Sequence, residues 1–552
     1  MRGPWIVGVV VASLAVAEEA GAGPCDCDHL LALDVTIADG SALGVQPGDS
    51  VCVQGGKRPF LRLQKFTGAE GEVIEIRNCE GQVDISNDDK GYALTIERSN
   101  FVRLTGTGDD AFMYGFRSRG SRTGPDYAAM SVSIGDLSSD IEVDHVEAYE
   151  AGFAGFMVKT DPRCDGSANL GNFVMYNSRL HHNYIHDTGG EGIYFGSTGY
   201  GGREYTCDGV KKLLYPHEHH GADIHDNIIE DTDWDGAQIG VTPKGCAFYR
   251  NRVQRVGLVK EQYQWQGLQI GGASACEVWG NLFADGPANG VFVLGADDTR
   301  VYNNLIVDFG EHGIYANDQE LDLQARYGFA FNTIVGSGQG GLTVFGSKLG
   351  PGYAYSNAVV GVAAIGIGNE VPGFVQMANQ TADTAETLGF VDPASRDFHL
   401  LPDSPLRDAG VVPPDLMVSD DRDGTPRDDG APDVGAHEFS LDPPDPGSTG
   451  ADDTGSPGDT GSAEGTDDTG DAGGETGPGE SGADTASDSG ESAAPTGSGP
   501  TGDATGSTSE GGGSSSDTAG AAGGEGCDCR GSAPGAGTWA LGLLLLLRRR
   551  RP

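Results

Sequence analysis

The pattern of apolar and polar positions in the middle of the chain repeats at short intervals. Between residues 155 and 341 a Gly is followed seven times by side chains that alternate between apolar and other types, as in a β-strand. The repeat glycines are Gly155, Gly192, Gly236, Gly267, Gly290, Gly313 and Gly341. Their spacings cluster near roughly 20 to 30 residues, the length of one coil of a stacked solenoid. The pattern therefore predicts a solenoid of short strands.

Each coil of such a solenoid supplies short parallel strands that pair with the coils before and after it. The aligned phrases resemble the repeats of right-handed parallel β-helix proteins, the pectate-lyase-like superfamily. This resemblance implies an all-β, right-handed parallel β-helix over about residues 40 to 440, with the Gly phrases stacked in one sheet. The architecture carries lyases, hydrolases, epimerases and adhesins alike, so it does not assign a function.

A second repeated phrase, centred on Asn, precedes most of the Gly phrases. Its asparagines are Asn183, Asn227, Asn251, Asn281, Asn304, Asn332 and Asn357. Asn satisfies backbone groups at tight turns, so we expect an internal amide ladder with no catalytic role.

The two ends of the chain differ from the repeats. Residues 1–22 hold one basic residue and then an apolar run, which is typical of a secretory signal peptide. Residues 23–440 form the predicted β-helix. Residues 441–526 are rich in Gly, Ser, Thr and Asp and lack Lys, Arg and aromatic residues, which indicates a disordered acidic stalk.

The last segment, residues 527–552, contains two cysteines, a short apolar stretch and four consecutive arginines. It resembles the myxobacterial-type C-terminal sorting tail, the MYXO-CTERM family. The resemblance implies processing by a sorting protease and attachment of the secreted protein to the cell surface.

Secretion makes disulfides possible, and the cysteine spacing supports them. Cys52 and Cys79 lie about one coil apart, which favours a bridge between them, and so do Cys246 and Cys276. Two long insertions, after Val158 and after Phe195, contain Cys164 and Cys207, and we expect these to pair as one wall of a groove. The partners of Cys25 and Cys27 stay open.

The charge of the chain bears on its partner. With 81 acidic and 35 basic residues the net charge is −46, which argues against nucleic acid. A polyanionic polysaccharide would require a cation such as Ca²⁺ between it and the protein.

Candidate chemistry lies on the outer face of the Gly-phrase sheet, because alternate side chains point away from the tube. Aromatic rings stack on sugar rings, and amides and acids bind hydroxyls, so this face is predicted to bind a polysaccharide. The predicted substrate-binding residues are Tyr194, Gln238, Gln269, Phe292, Tyr315, His312 and Glu218.

Glu218 and its neighbour His217 end the second insertion. Their Pro-His-Glu sequence resembles the Asp-Pro-His-Asp motif of β-helical mannuronan epimerases, with Tyr215 in place of the first Asp. The resemblance implies that His217 is a catalytic residue.

Two enzymatic mechanisms follow from the pattern. Glu191 and Asp235 share an outward column on neighbouring coils, where like charges would create the acid and base pair of a glycoside hydrolase. In a lyase or epimerase, His217 or Lys159 would take a proton beside a uronate carboxylate. Ca²⁺ would neutralise that carboxylate, held by Asp231, Asp233 and Asp235.

The alternative is a non-catalytic adhesin or carbohydrate-binding surface protein, since a stalk displays a binding domain as readily as an enzyme. Convergence of Lys159, Glu191, Asp235 and His217 in one place would favour an enzyme.

Residues 392–438 resemble the closing segment of bacterial β-helix proteins, and we expect them to cap the last coil.

Overall fold

The computed structural model describes residues 25–441, apart from 88, 122–128, 296–297, 320–324, 362–364 and 429. The predicted signal peptide, nearly all of the stalk and the sorting tail lie outside the described residues. Within the described ranges no helix is long and apolar enough to cross a membrane.

One parallel sheet carries the Gly phrases. In the described residues it has 12 strands, one per coil: Ile37–Asp39, Leu61–Gln64, Tyr92–Glu97, Met130–Gly135, Phe156–Val158, Ile193–Gly196, Ala237–Gly240, Leu268–Ile270, Val291–Leu294, His312–Asn317, Gly340–Val344 and Ile365–Ile367. Parallel register between consecutive strands confirms the prediction that the Gly phrases stack in adjacent coils.

The other wall of the tube is a parallel sheet of 23 strands, counted over the same residues. One row of it comprises His29–Leu31, Ser50–Arg58, Ile74–Ser86, Asn100–Thr105, Ser139–Asp144, Val174–His181, Glu218–His225, Lys244–Tyr249, Cys276–Trp279, Thr299–Tyr302, Tyr327–Ala330, Tyr353–Tyr355 and Val375–Met377. The second row comprises Phe116–Arg119, Val146–Tyr149, Tyr184–Thr188, Ile228–Thr232, Arg252–Gln254, Leu282–Gly286, Leu305–Phe309, Thr333–Ser337, Ala358–Gly361 and Gln380–Ala382. The protein is thus an all-β, right-handed parallel β-helix.

The remaining elements lie outside these two sheets. They are the short helix Gly40–Leu43, the hairpin Arg203–Cys207 with Val210–Leu214, the 3₁₀ turns Ala385–Leu388 and Pro393–Ser395, and the hairpin Phe390–Asp392 with Asp397–Leu400.

Close approach between coils explains the repeated glycine. A Cβ atom added to Gly192 would lie 2.5 Å from the carbonyl oxygen of Gly236 and 2.4 Å from a methyl of Ile229. The residues one and three places after each Gly, such as Ile193 and Phe195, are buried inside the tube. A larger residue at the Gly position would therefore push the coils apart.

The predicted Asn ladder is present and buried. Each Asn donates from its side-chain nitrogen to the side-chain oxygen of the Asn in the next coil, at 2.9–3.2 Å, from Asn183 to Asn357. The ladder extends one step further, to Asn379, at 2.9 Å. The same oxygens accept backbone N–H groups, so the turn between the two rows of strands is satisfied by side chains.

The disulfides follow the predictions in part. Cys164 pairs with Cys207 and Cys246 with Cys276, as expected. The bridge expected between Cys52 and Cys79 is wrong, because Cys52 pairs with Cys27 and Cys79 with Cys25. The reason is register: Cys52 stands opposite Arg77, two residues away from Cys79. The N-terminal segment is thereby tied to the first two coils.

The closing segment lies along the side of the last coils, which corrects the expectation that it caps their end. Phe390, Phe398, Leu406 and Val434 form an apolar cluster with outward residues of the second strand row, including Leu305. The N–H of Ala436 donates to the Thr333 hydroxyl at 2.8 Å. The segment therefore shields an apolar outer face of several coils.

The Asn ladder predicts a specific sensitivity. Asn281→Ala removes donors and acceptors that serve Asn251, Asn304 and the Phe248 carbonyl, all buried. We expect the free energy of unfolding to fall by about 2–4 kcal/mol, because buried polar partners lose their hydrogen bonds. The measurement is thermal or urea unfolding followed by circular dichroism.

The matched control is Asn172→Ala, which removes an exposed amide that donates to the Gly166 carbonyl. Its cost should stay below about 1 kcal/mol. Equal losses in the two variants would contradict a stabilising role for the ladder.

Candidate functional site

The outer face of the 12-stranded sheet carries the predicted substrate-binding column. Register aligns Tyr194, Gln238, Gln269, Phe292 and Tyr315 on five successive coils. The sequence predicted a column that is open to solvent along its whole length, but part of the column is covered in the structure. The first three side chains are at most 6% exposed, whereas Phe292 and Tyr315 are partly exposed.

Two segments outside the repeats cover the part of this face that carries Tyr194, Gln238 and Gln269. The insertion after Phe195 passes over Tyr194, whose hydroxyl lies 2.9 Å from that of Thr198. A second segment, residues 257–266, carries Gln264 over the neighbouring column. This divides the face into a covered end and an open end.

The neighbouring column forms a ladder of its own. The side-chain oxygens of Asp235, Gln266 and Asn289 each accept the backbone N–H of the next residue in the column, at 2.7, 3.1 and 3.3 Å. The last of these N–H groups belongs to His312, whose Nδ1 also lies 3.1 Å from the Asn289 oxygen. These residues are therefore tied to the scaffold, and Nδ1 of His312 is the donor.

Glu191 and Asp235 lie at the start of this column as a buried acid pair. They are 1% and 0% exposed. With its amide nitrogen turned toward them, Gln264 donates to Glu191 Oε1 at 3.1 Å and Asp235 Oδ2 at 3.3 Å. Glu191 Oε2 has no hydrogen-bond partner.

Burial controls the protonation of this pair. It raises the pKa of Glu191 to about 7. It also raises the pKa of Asp235 well above its usual range, with a further contribution from the Glu191 charge. One or both carboxyls are therefore protonated near neutral pH, which is the state that can donate a proton.

Lys159 lies beside this pair at the base of the first insertion. Its Nζ is 2.8 Å from Asp161 Oδ1 and 5.0 Å from the centre of the Tyr194 ring. Burial opposes ionisation of Asp161, but the Lys159 ammonium holds the pKa of that carboxyl below its usual value. Lys159 also favours the charged form of Glu191.

The disulfide Cys164–Cys207 joins the two insertions at this end of the face. It holds the hairpin beside Lys159, and Arg203 and Tyr205 on that hairpin interact electrostatically with Asp161. A mixed set of cationic, acidic and phenolic groups is thus gathered around the covered end.

His217 occupies a structural position in this neighbourhood. Its Nε2 accepts the Thr160 N–H at 3.0 Å and its Nδ1 donates to the Glu218 carbonyl at 2.9 Å. Burial lowers its pKa, which keeps the ring neutral. Since both nitrogens bind the main chain, His217 has none to offer as a base, contrary to the epimerase-like expectation. The Glu218 carboxylate lies 2.7 Å from His220 Nε2.

The predicted Ca²⁺ ligands do not converge. Both oxygens of Asp231 accept hydrogen bonds from Arg255, at 2.8 Å each. Asp235 belongs to the buried acid pair. In the described part of the chain, Asp231, Asp233 and Asp235 are not among the groups of acids, histidines and cysteines whose ligand atoms lie within 4.8 Å of one another.

The open end of the face holds an aromatic patch made of Phe292, His312, Tyr315 and Phe345. The Tyr315 ring centre lies 5.5 Å from Phe292, 5.0 Å from His312 and 6.2 Å from Phe345. Adjacent rings are tilted by 46–54°. Sequence reasoning missed Phe345, although it stands four places after Gly341, where Lys159 stands after Gly155.

The acid pair makes stability depend on pH. Glu191 binds its proton more tightly in the folded protein, with a pKa of about 7, than at its ordinary value of 4.5. Its contribution is complete below 4.5 and is lost as pH rises through 7. Glu191→Gln should remove up to about 3 kcal/mol of the decline in stability between pH 5 and pH 8.

Unfolding midpoints at the two pH values measure this effect. Glu204→Gln is the control, because Glu204 is an exposed acid on the hairpin. An unchanged pH dependence in Glu191→Gln would show that Glu191 ionises at its ordinary pH.

Comparison with known proteins adds a likeness in fold. No family model and no curated protein matches the chain. Pectate lyase Pel9A is 13% identical, with a TM-score of 0.44 over 72% of this chain and 90% of that one. The Azotobacter vinelandii mannuronan C-5 epimerase AlgE4 A-module is 14% identical, with a TM-score of 0.38 over 64% and 96%. Identities this low transfer no activity, and this chain is described by its own structure as a parallel β-helix.

Proposed function

We propose that the protein binds an extracellular polysaccharide along the outer face of the 12-stranded sheet. The observation that carries this proposal is the aromatic patch at the open end. Its rings lie on three consecutive coils, are partly exposed and are tilted to one another, so ring faces are left for a ligand. Sugar rings stack on such faces.

A second row of aromatic rings, on the 23-stranded sheet, differs from the aromatic patch in how its rings are stacked. Tyr249, Trp279 and Tyr302 stack with ring centres 4.2 and 5.8 Å apart and planes within 6° of parallel. Their faces cover one another, so this row stabilises adjacent coils. The tilted patch lacks that arrangement and is the better platform for a glycan.

Polar groups beside the patch suit hydroxyl binding. His312 donates from Nδ1 to Asn289, which leaves Nε2 as an acceptor. Glu311 is half-buried, and burial raises its pKa. A neutral glycan is favoured over a polyuronate, because the chain carries a net charge of −46 and the predicted Ca²⁺ ligands do not converge.

Cleavage of the glycan is a second candidate, favoured by the covered end. Lys159, Glu191 and Asp235 lie in one neighbourhood, and a protonated buried acid is the donor that glycoside hydrolysis requires. The segment 257–266 would have to move for a sugar to reach the acids. A lyase or epimerase would have Lys159 as its base, since His217 is bound to the main chain.

The proposal includes display of the protein on the cell surface. Four disulfides in the described residues suit an oxidising, extracellular setting. The signal peptide, stalk and sorting tail proposed from the sequence would hold the β-helix outside the envelope, with a sorting protease as processing partner. A non-catalytic adhesin would use the same arrangement.

The binding proposal is tested with the secreted protein and sets of neutral and acidic polysaccharides, with and without a chelator. We expect chelator-independent binding of a neutral glycan. The Tyr315→Ala and Phe345→Ala variants should each weaken it roughly tenfold, the loss of about 1.4 kcal/mol of ring contact.

The control is Tyr176→Ala, which removes a 45% exposed ring from the other sheet. Equal weakening by Tyr176→Ala, or no binding to any glycan, would contradict the assignment. Reducing ends and unsaturated-uronate absorbance report hydrolysis and elimination, respectively. Binding without either product identifies a binding protein, and product lost in Glu191→Gln identifies the acid pair as the catalytic site.

A further inference from the structure

Three potential metal ligands converge in the closing segment, far along the chain from the glycan face. They are His399, Asp423 and His437, and their ligand atoms all lie within 4.8 Å of one another. Asp423 Oδ2 is 2.9 Å from His399 Nε2 and 3.4 Å from His437 Nε2. Three separate parts of the segment therefore aim one atom each at a common point.

These separations match a tetrahedral metal site. Zn²⁺ binds His nitrogen and carboxylate oxygen at about 2.0–2.2 Å, which places neighbouring ligand atoms about 3.3 Å apart. The Asp423 and His437 side chains are buried, and His399 is 38% exposed. Solvent reaches the His399 side of the cluster, where a water molecule would be the fourth ligand.

Neighbouring groups hold the ligands in place. Asp397 Oδ1 lies 2.6 Å from Nδ1 of His399, so it orients that ring with Nε2 toward Asp423. Metal-binding histidines usually have such a carboxylate behind them. Arg422 binds the other oxygen of Asp423, Oδ1, at 2.9 Å, and leaves Oδ2 facing the two imidazoles.

Asp421 fixes the backbone around the same point. Its two carboxylate oxygens accept the N–H groups of Asp423 and Glu438, at 2.8 and 2.7 Å. The loop that carries Asp423 and the residue next to His437 are thus joined before any metal binds. Preorganisation of this kind lowers the cost of binding an ion.

Other clusters of the described residues are less suited to a metal. His182 and His225 approach Asp226, but Arg250 binds both oxygens of that carboxylate, at 2.8 and 2.6 Å. The cluster of Cys25, Cys52 and Cys79 consists of disulfide sulfurs.

A third cluster contains Glu142, Asp144 and His181. Its Asp144 carboxylate accepts hydrogen bonds from Arg103 and Thr105, at 2.8 and 2.6 Å. In the closing-segment cluster, by comparison, Arg422 binds Oδ1 of Asp423, while Oδ2 lies 2.9 and 3.4 Å from the two imidazole nitrogens.

We propose that His399 Nε2, Asp423 Oδ2 and His437 Nε2 bind one Zn²⁺ ion, with water as the fourth ligand. The ion replaces the protons that the two Nε2 atoms donate to Asp423 in its absence. Its role is structural, because it ties the hairpin Phe390–Asp392 with Asp397–Leu400 to the last turn of the closing segment. Metal binding to the folded state alone adds to stability.

The test uses the full secreted chain after removal of bound metal, with Zn²⁺ as ligand and Co²⁺ as spectroscopic probe. We expect one Zn²⁺ per chain with a Kd tighter than about 1 µM, a raised unfolding midpoint, and visible absorption of tetrahedral Co²⁺. His399→Gln and His437→Gln should each weaken Zn²⁺ binding at least about 100-fold and abolish the Co²⁺ bands.

Two further variants distinguish the metal ligands from a residue that only orients a ligand and from a histidine outside the site. Asp397→Asn keeps all three ligands and should weaken binding about 10- to 100-fold while the Co²⁺ bands persist. His29→Gln, at an N-terminal His–Asp pair, should change nothing. If His437→Gln fails to fold, His399→Gln decides the matter because its side chain is partly exposed.

The proposal is overturned by wild-type protein that binds no Zn²⁺, or by full Zn²⁺ affinity in His399→Gln. It is also overturned if His182→Gln, rather than His399→Gln, removes the ion, since the metal would then belong to the other histidine cluster.

Discussion

The constraint on which this molecule depends is the stacking of each coil on the next at the spacing of parallel strands, about 4.8 Å. Stacking places equivalent positions in columns, so each side chain lies against the side chain at the same position of the next coil. An amide suits such a column, because its nitrogen donates to the oxygen of the next amide, as from Asn281 to Asn304. A carboxylate does not, since two like charges meet.

The same constraint accounts for the candidate site. Glu191 and Asp235 occupy equivalent positions on adjacent coils, and Gln264 is the amide that lies between their oxygens. Further along that column stand Gln266 and Asn289, and the Asn289 side-chain nitrogen donates to the Gln266 side-chain oxygen at 2.8 Å. The acids are therefore a departure from the amide pattern, and departures of this kind occur at functional positions.

The sequence was sufficient for features that follow the repeat. The Gly and Asn phrases set the register, and register sufficed to pair Cys246 with Cys276. Segments without a period could not be placed. Residues 257–266 bury Glu191, and the N-terminal segment brings Cys27 to Cys52. Both paths depend on tertiary packing that no short sequence pattern encodes. His217 was misjudged because its partners, the Thr160 N–H and Glu218 carbonyl, are backbone groups.

The position of the disulfides has a mechanical consequence. All four bridges of the described residues involve cysteines no later than Cys276, and coils of a solenoid contact only their neighbours. A pull on the C-terminal side would first detach the closing segment and then peel off the later coils one by one. Peeling would meet a covalent stop at Cys246–Cys276. The β-helix is thus extensible at its C-terminal end and covalently locked toward its N-terminal end.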